Sequence, residues 1–301
     1  MDKTNHPLVS VFVVTYNAGE YICETLDSIK AQTYDHIELI VSDDNSSDET
    51  VRLANEWIDK NKERFVRTEV ITVDHNTGVS ANYNRAVKAC RGEWVKNVDG
   101  DDLITPNCIE DNLEYVREHP EIDVLFSDMV VFREKPDNVL YKFSDSDFNG
   151  FFELSAEGQF KRLVQRNFLP STPLFIKCDV LKQYPYNEHY IGLEDFPMWV
   201  TLTKNGHKAY YHDKVTAMYR KGDSVTASKR RLYSPVYMDS MEMFYWGELY
   251  HYLKENDFKE ANSYYLKQFM LYQMAMVVFK NKGRFIYRGI FSVLRKLLNC
   301  E

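Results

Sequence analysis

No stretch of this 301-residue chain approaches the roughly 18 consecutive apolar residues that a membrane-crossing helix needs. Glycine is sparse at 12 residues, no two spaced as GxG, and no GxxxxGK[ST] run occurs, so dinucleotide cofactors and P-loop phosphate binding are set aside. The five cysteines (Cys23, Cys90, Cys108, Cys178, Cys300) form no CxxC and no zinc spacing. They read as buried or incidental thiols in a reducing compartment. The eight histidines form no HxxxH or HExxH pair, and no GxSxG marks a serine hydrolase. Positive charge is in deficit: a formal net charge of -8 argues against a general nucleic-acid binder. The polar N-terminal MDKTNHP has no apolar core of the kind secretory signals carry. These absences leave a soluble cytoplasmic globular protein as the expected class.

What is present suffices for a large core, at 44% hydrophobic and 14% aromatic. The β-branched run LVSVFVVTYN (8–17) predicts a strand covered on both faces. Further strands are predicted at 36–44, 68–75 and 92–100, with helices between them: Ile22, Leu26 and Ile29 carry one apolar face, and Ala54, Trp57 and Ile58 another. The second of these helices is expected to be capped from Ser46 or Ser47. Alternation of strand and helix with short connections predicts an α/β fold with a mostly parallel central sheet. After Pro106 the texture changes to a helix at 106–118 and a strand at 123–132. A polar excursion or loop follows at 133–150, then strands at 173–177 and 210–220 around a helix starting near Asp195. From about 235 the chain is predicted to be helical and aromatic.

In open α/β sheets ligands sit at the carboxyl ends of the strands, near a switch in strand order. Four successive strand ends here are polar: TYN (15–17), SDDNSSD (42–48), HNTG (75–78) and NVDGDD (97–102). Each alone has a plain reading as a turn or helix cap; four together point to a site. NVDGDD is not a calcium loop, because counting from Asp99 the fifth and sixth positions are Leu103 and Ile104. A divalent cation held by one or two carboxylates and completed by substrate phosphates fits better. Gly100 would let a ligand approach the backbone closely. A second acidic candidate is GLEDFPMW (192–199), where Glu194 and Asp195 either favour a helix N-terminus or supply a general base. On the second reading, the helix N-terminus is expected to lower the base's pKa and keep it ionised.

These pieces, in this order, resemble family 2 glycosyltransferases, which have the GT-A fold: a Rossmann-like nucleotide half merged with an acceptor half. The resemblance rests on VSVFVVTYN, IELIVSDDNSSDET, NTGVSANYNRA, VDGDDLITP and GLEDFPMW followed by LTKNGHK, and covers roughly residues 8–226. It implies a nucleotide-sugar half at 1–105, an acceptor half at 106–226, and a C-terminal helical region at 227–301 outside it. It further implies that Thr15, Tyr16 and Asn17 close the first strand around the nucleotide, that Asp44 hydrogen-bonds the base, typically uracil, and that Gly78 and Asn84 line the donor pocket. Asp99 and Asp101 become the DxD pair, for ribose and for a Mg²⁺ or Mn²⁺ diphosphate, with Asp101 the main metal ligand and Asp99 its companion. Asp195, beside Glu194, becomes the catalytic base of an inverting transfer from a UDP-sugar to a glycan or lipid-linked acceptor. Two departures stand out. Tyr83 occupies a position where many relatives carry Arg, and Gly222 in YRKGDSVT (219–226) replaces a common histidine, with Arg220 or a lysine in SKRR (228–231) as the candidate substitute. A degenerate nucleotide-sugar binding module is the rival reading, but it should lack a base or metal carboxylate, and both are present.

The last segment, 277–301, mixes Lys280, Lys282, Arg284, Arg288, Arg295 and Lys296 with apolar residues at helical spacing. It reads either as a helix on an anionic membrane surface, placing the protein peripherally on the inner face of the cell membrane, or as one packed on its own domain or across a homodimer.

Overall fold

The apolar run after Leu8 becomes strand β1 (Val9–Thr15), buried at every position. Its side chains alternate between two cores: Val9, Val11 and Val13 enter one, Phe12 and Val14 the other. Burial of each such side chain contributes about 1.5–3 kcal/mol, so the strand is fixed from both faces. Helix α1 (Ile22–Lys30) then leads to β2 (Ile37–Asp43), α2 (Thr50–Asn61) to β3 (Arg67–Ile71), and α3 (Val79–Ala89) to β4 (Trp94–Asp99). This computed structural model describes residues 6–222 and 230–298.

β2 and β4 flank β1 in parallel, with Thr15 opposite Asp43 and Val14 opposite Asp99. The chain steps outward from β1 to β3 and returns to lay β4 against β1, which makes the β1/β4 boundary the switch point of the sheet. Beyond it come β5 (Leu103–Ile104), α4 (Cys108–Glu118), β6 (Val124–Arg133), β7 (Lys135–Phe143), α5 (Ala156–Leu163), β8 (Phe175–Lys177), α6 (Cys178–Gln183), α7 (Asp195–Lys204) and β9 (Ala209–Arg220). Among the described residues the sheet runs β3-β2-β1-β4-β8-β6-β9-β5, with β7 on β6. Strands β1 to β4 are all parallel; β8 is antiparallel to both β4 and β6, while β6 and β9 run parallel.

Three local expectations are corrected. The polar stretch 133–150 contains strand β7, antiparallel to β6 from Met129↔Phe143 to Arg133↔Lys135 after a left-handed turn at Glu134. Its charged, exposed composition is that of a protected sheet edge, which hides the strand from a search for apolar runs. Helix α2 is capped by neither Ser46 nor Ser47; the Thr50 amide donates to Asp48 at 3.0 Å, while both serines turn toward Asp43 and Asn17. β3 stops at Ile71, ahead of the exposed Asp74 and His75.

The C-terminal region is helical as expected: α8 (Pro235–Phe244), a π-helical turn (Tyr245–Leu249), α9 (Tyr250–Glu255), α10 (Lys259–Val277) and α11 (Phe285–Leu297). Its buried Phe244, Tyr245, Phe269 and Phe291 belong to the same continuous core as Phe12, Tyr83 and Phe126. Among the described residues no helix is long and apolar enough to cross a membrane. The sequence-predicted junction at 226/227, the end of the 219–226 motif, and Ser228 and Lys229 of SKRR lie outside the described residues.

Candidate active site

The ends of β1, β2 and β4 meet at the switch point and are laced together by side chains. Asn17, left-handed at φ 53°, receives the Ser47 amide at 2.8 Å and gives its own amide to Ser46 Oγ at 2.7 Å. Asn82 on α3 donates to the Thr15 carbonyl at 3.3 Å and accepts from Ser42 at 2.6 Å. Thr15 is buried, yet its hydroxyl oxygen has no hydrogen-bond partner. Tyr16, by contrast, is 52% exposed at the mouth of this end.

Asp44 is buried and heavily engaged: Thr77 donates through its amide and hydroxyl, Gly78 through its amide at 2.8 Å, and Arg85 through its guanidinium at 2.7 Å. These bonds overcome the cost of burial and hold its carboxyl below the usual range. Gly78 caps α3 at φ 92°, and a Cβ there would meet Ile191 at 2.9 Å. Asn84 ties α3 to the 186–188 segment: its side chain bonds both the carbonyl and the amide of Tyr186 at 2.9 Å and reaches Glu188.

After β4 the acids separate by role. Asp102 is fully buried and takes the Arg220 amide at 2.8 Å and the Thr172 hydroxyl at 3.3 Å, so it fastens the loop to the sheet. Asp99 accepts from the Tyr83 hydroxyl at 2.8 Å. Burial, and then the neighbouring Asp101, push Asp99 up to about 6 despite that bond. Burial raises Asp101 as well. The space at Gly100 is taken by the protein itself: a Cβ there would meet Thr15 Oγ1 at 2.6 Å, so strand packing by itself requires the glycine. Arg220 lies between the rings of Tyr21 and Phe132 and donates to the Asp101 and Glu134 carbonyls and the Glu24 carboxylate. It holds the acidic loop in place through backbone and ring contacts.

Glu194 and Asp195 open helix α7. Asp195 receives the Phe196 amide at 2.5 Å and the Asn167 side chain at 3.5 Å. Even so, burial sets it at about 6, and burial together with Asp195 and Asp99 sets Glu194 at about 8. The expectation that the helix N-terminus keeps Asp195 low is therefore corrected: removing the carboxylate from water outweighs the dipole and its hydrogen bonds. The charge of Asp195 acts on Asp99, and those of Asp195 and Asp99 act on Glu194, so the two acidic pairs lie within electrostatic reach of each other. Tyr83 and Tyr186, rings 4.8 Å apart, both lie within reach of the charges of Asp99 and Glu194.

A sequence profile of glycosyl transferase family 2 matches residues 10–184. The chain belongs to glycosyl transferase family 2. An uncharacterized glycosyltransferase of Methanocaldococcus jannaschii is 29% identical over 221 residues, covering 73% of this chain and 72% of the relative. The GalNAc(5)-diNAcBac-PP-undecaprenol beta-1,3-glucosyltransferase of Campylobacter jejuni is 26% identical over 98% of this chain and 90% of its own. A UDP-Glc:alpha-D-GlcNAc-diphosphoundecaprenol beta-1,3-glucosyltransferase of Escherichia coli is 28% identical over 74% of this chain and 81% of its own. S. aureus TarS 1-349 with UDP-GlcNAc aligns at TM-score 0.60 and 22% identity over 78% of this chain, which spans 65% of that solved chain; the likeness establishes the fold.

Within this family 2 glycosyltransferase, sequence reasoning missed several residues that shape the site. Lys96 is fully buried in β4, bonded to the Thr172 and Leu174 carbonyls, and its charge acts on Asp99; burial lowers its pKa. A lone lysine inside the strand predicted at 92–100 was the available signal. Asn82 carried the same kind of signal, a polar residue on the inner face of α3. Asn167, which reaches Asp195 from 28 residues away, carried none. Among the described residues no three His, Cys, Asp or Glu side chains converge as a preformed metal cluster.

Proposed function

We propose that the chain transfers a sugar from a UDP-sugar to a hydroxyl of a glycan or lipid-linked acceptor, with inversion at the anomeric carbon, in surface polysaccharide or glycoconjugate synthesis. The observation that carries this is the approach of the Asp99–Asp101 loop to the Glu194–Asp195 helix start, close enough for Asp195 to act on Asp99 and for Asp99 to act on Glu194. Asp195 takes the acceptor proton as the acceptor oxygen bonds to the anomeric carbon and the bond from that carbon to the diphosphate oxygen breaks. A base at about 6 is suited to that task near neutral pH, since it is ionised yet still basic.

On the donor side, Thr15 contributes an unpartnered buried hydroxyl, Tyr16 an exposed ring on which a base can stack, and Asn17 the brace between the two loops. Asp44 fixes the Thr77–Gly78 backbone beside the base, and a base N–H would compete there with Arg85. Asp101, with Asp99, fits Mg²⁺ or Mn²⁺: hard carboxylate oxygens, few in number, with the remaining ligands left to substrate. When bound, that ion would stabilise negative charge on the departing diphosphate. A solved mannosyltransferase of Pyrobaculum calidifontis carries GDP-Man and Mn2+, at TM-score 0.54 and 20% identity. The C-terminal segment meets the inner face of the membrane through α11, whose Ile286, Ile290, Val293 and Leu297 are exposed, as are Lys282, Arg284 and Lys296.

The deciding experiment is Asp195→Asn assayed with UDP-sugars and undecaprenyl-diphosphate-linked acceptors. Turnover is expected to fall about a thousandfold or more, with UDP affinity within about threefold of wild type. Turnover near wild type would overturn the assignment of the base.

A further inference from the structure

A cavity of about 650 Å³ opens among α8, α10 and α11, outside the donor site. Among the described residues its wall includes three arginines (Arg166, Arg288, Arg295) and no acidic residue, in a chain of net charge -8; Arg288 also donates to the Gly283 and Arg231 carbonyls at 3.0 and 3.1 Å. Tyrosines line it as well: Arg166 lies over the Tyr264 ring at 5.4 Å and Arg295 over the Tyr233 ring at 5.0 Å. Ser234 on the same wall is 3% exposed, and its hydroxyl oxygen has no partner.

Two observations tie this cavity to the chemistry. Arg166 is followed directly by Asn167, whose side chain reaches the Asp195 carboxylate. Tyr237, also on the wall, feels the charges of both Asp195 and Glu194. The third wall element, α11, is two-sided: Arg288, Phe291, Ser292 and Arg295 turn to the cavity, while Ile286, Ile290, Val293 and Leu297 are exposed on the outside.

We infer that this cavity is the acceptor subsite and holds the diphosphate of an amphiphilic, lipid-linked acceptor, with the lipid running along the outer apolar face of α11. The inference rests on the glycosyl-transfer reading above and gives its acceptor side a location. Guanidinium groups match phosphate oxygens two at a time and keep their charge at any working pH. A pocket of this volume is within the range of small-ligand sites. The side of the molecule carrying the proposed base would thus receive an acceptor whose charged group is recognised by arginine and whose tail never leaves the bilayer.

The test is calorimetric titration with farnesyl diphosphate in EDTA, so that the Asp99–Asp101 pair has no cation with which to hold the probe. Wild type is expected to bind, Arg166→Gln and Arg295→Gln each about tenfold more weakly, and Asp101→Asn like wild type. Inorganic pyrophosphate should bind at least about tenfold more weakly than farnesyl diphosphate; equal binding would make the cavity a free-anion site and overturn the lipid assignment. Unchanged binding in both arginine variants would overturn the site itself. Arg295→Lys, which keeps charge and much of the packing, should fall between wild type and Arg295→Gln; affinity as low as the Gln variant's would point to lost folding and count against charge recognition. The two readings fail separately: a wild type that neither binds UDP with Mn²⁺ nor cleaves any UDP-sugar refutes glycosyl transfer, whatever farnesyl diphosphate does.

Discussion

At the scale of single residues, the Tyr83 hydroxyl and Asp99 share a bond that replaces an expected arginine with a neutral donor. A tyrosine leaves the loop net negative and open to a cation, while still giving one Asp99 oxygen a fixed partner. In Tyr83→Phe, Asp99 stays buried without that donor, so its carboxyl rises further. The loss of a hydrogen bond to a charged group is worth about 1.5–3 kcal/mol, which predicts a donor KM higher by about tenfold or more in steady-state assays with Mn²⁺. Asp195 and Glu194 show how magnitudes settle a competition. A helix terminus is worth about 0.3–1 kcal/mol, or about 2 when partly buried, whereas full burial shifts a carboxyl by up to about 3–5 pKa units. Burial wins, and a pH profile can read it. kcat/KM should fall about tenfold per unit on the acid side of the base's pKa, near 6 for Asp195. A flat profile from pH 7 to 5 would exclude a base of that kind.

Secondary-structure elements succeed or fail here on a few backbone positions. Gly78 combines φ 92° with a Cβ direction blocked by Ile191 at 2.9 Å, directly before the helix that carries Asn82, Tyr83 and Asn84. Gly78→Ala should lower stability by about 1–3 kcal/mol in urea titrations; adding Ile191→Ala should recover part of the loss, since it relieves the contact and leaves the dihedral. The strands β1 and β2 could be read from sequence because β-branched runs buried on both faces leave no ambiguous period, and β4 because it continues the alternation of strand and helix. β7 could not, because an exposed edge strand has the composition of a loop. Nor could the engagements of Asp44, Asn84 and Arg220: their partners lie 33, 102 and 119 residues away, so only the closed fold shows that these side chains brace the site. The α2 cap failed for a local reason, since the run from Asp43 to Glu49 offers several side chains able to cap and the choice among them is made by Asn17 across the loop.

For the whole molecule, the concentration of buried carboxylates carries a stability cost that depends on pH. Asp99, Glu194 and Asp195 have folded pKa values of about 6, 8 and 6, above the roughly 3.9–4.3 of unfolded chains. Between about pH 4 and 8 the folded state therefore binds more protons than the unfolded one, so stability falls as pH rises through that window. Asp44 has the opposite sign: its lowered pKa contributes stability above its unfolded value that is lost only as pH falls further. The urea midpoint should accordingly be higher at pH 5.5 than at pH 8, and UDP with Mn²⁺ should raise it more at pH 8, where the acids are ionised. A midpoint that climbs from pH 5.5 to 8 would contradict the arrangement. The C-terminal helices bear on how such a chain can be re-engineered. Because Phe244, Tyr245, Phe269 and Phe291 share one core with Phe12 and Tyr83, they cannot be exchanged as a cassette for those of another transferase. Any graft that changes acceptor preference must also carry the matching inner surface, so recombination in this scaffold is expected to proceed by replacing exposed positions of α10 and α11, with the buried rings left in place.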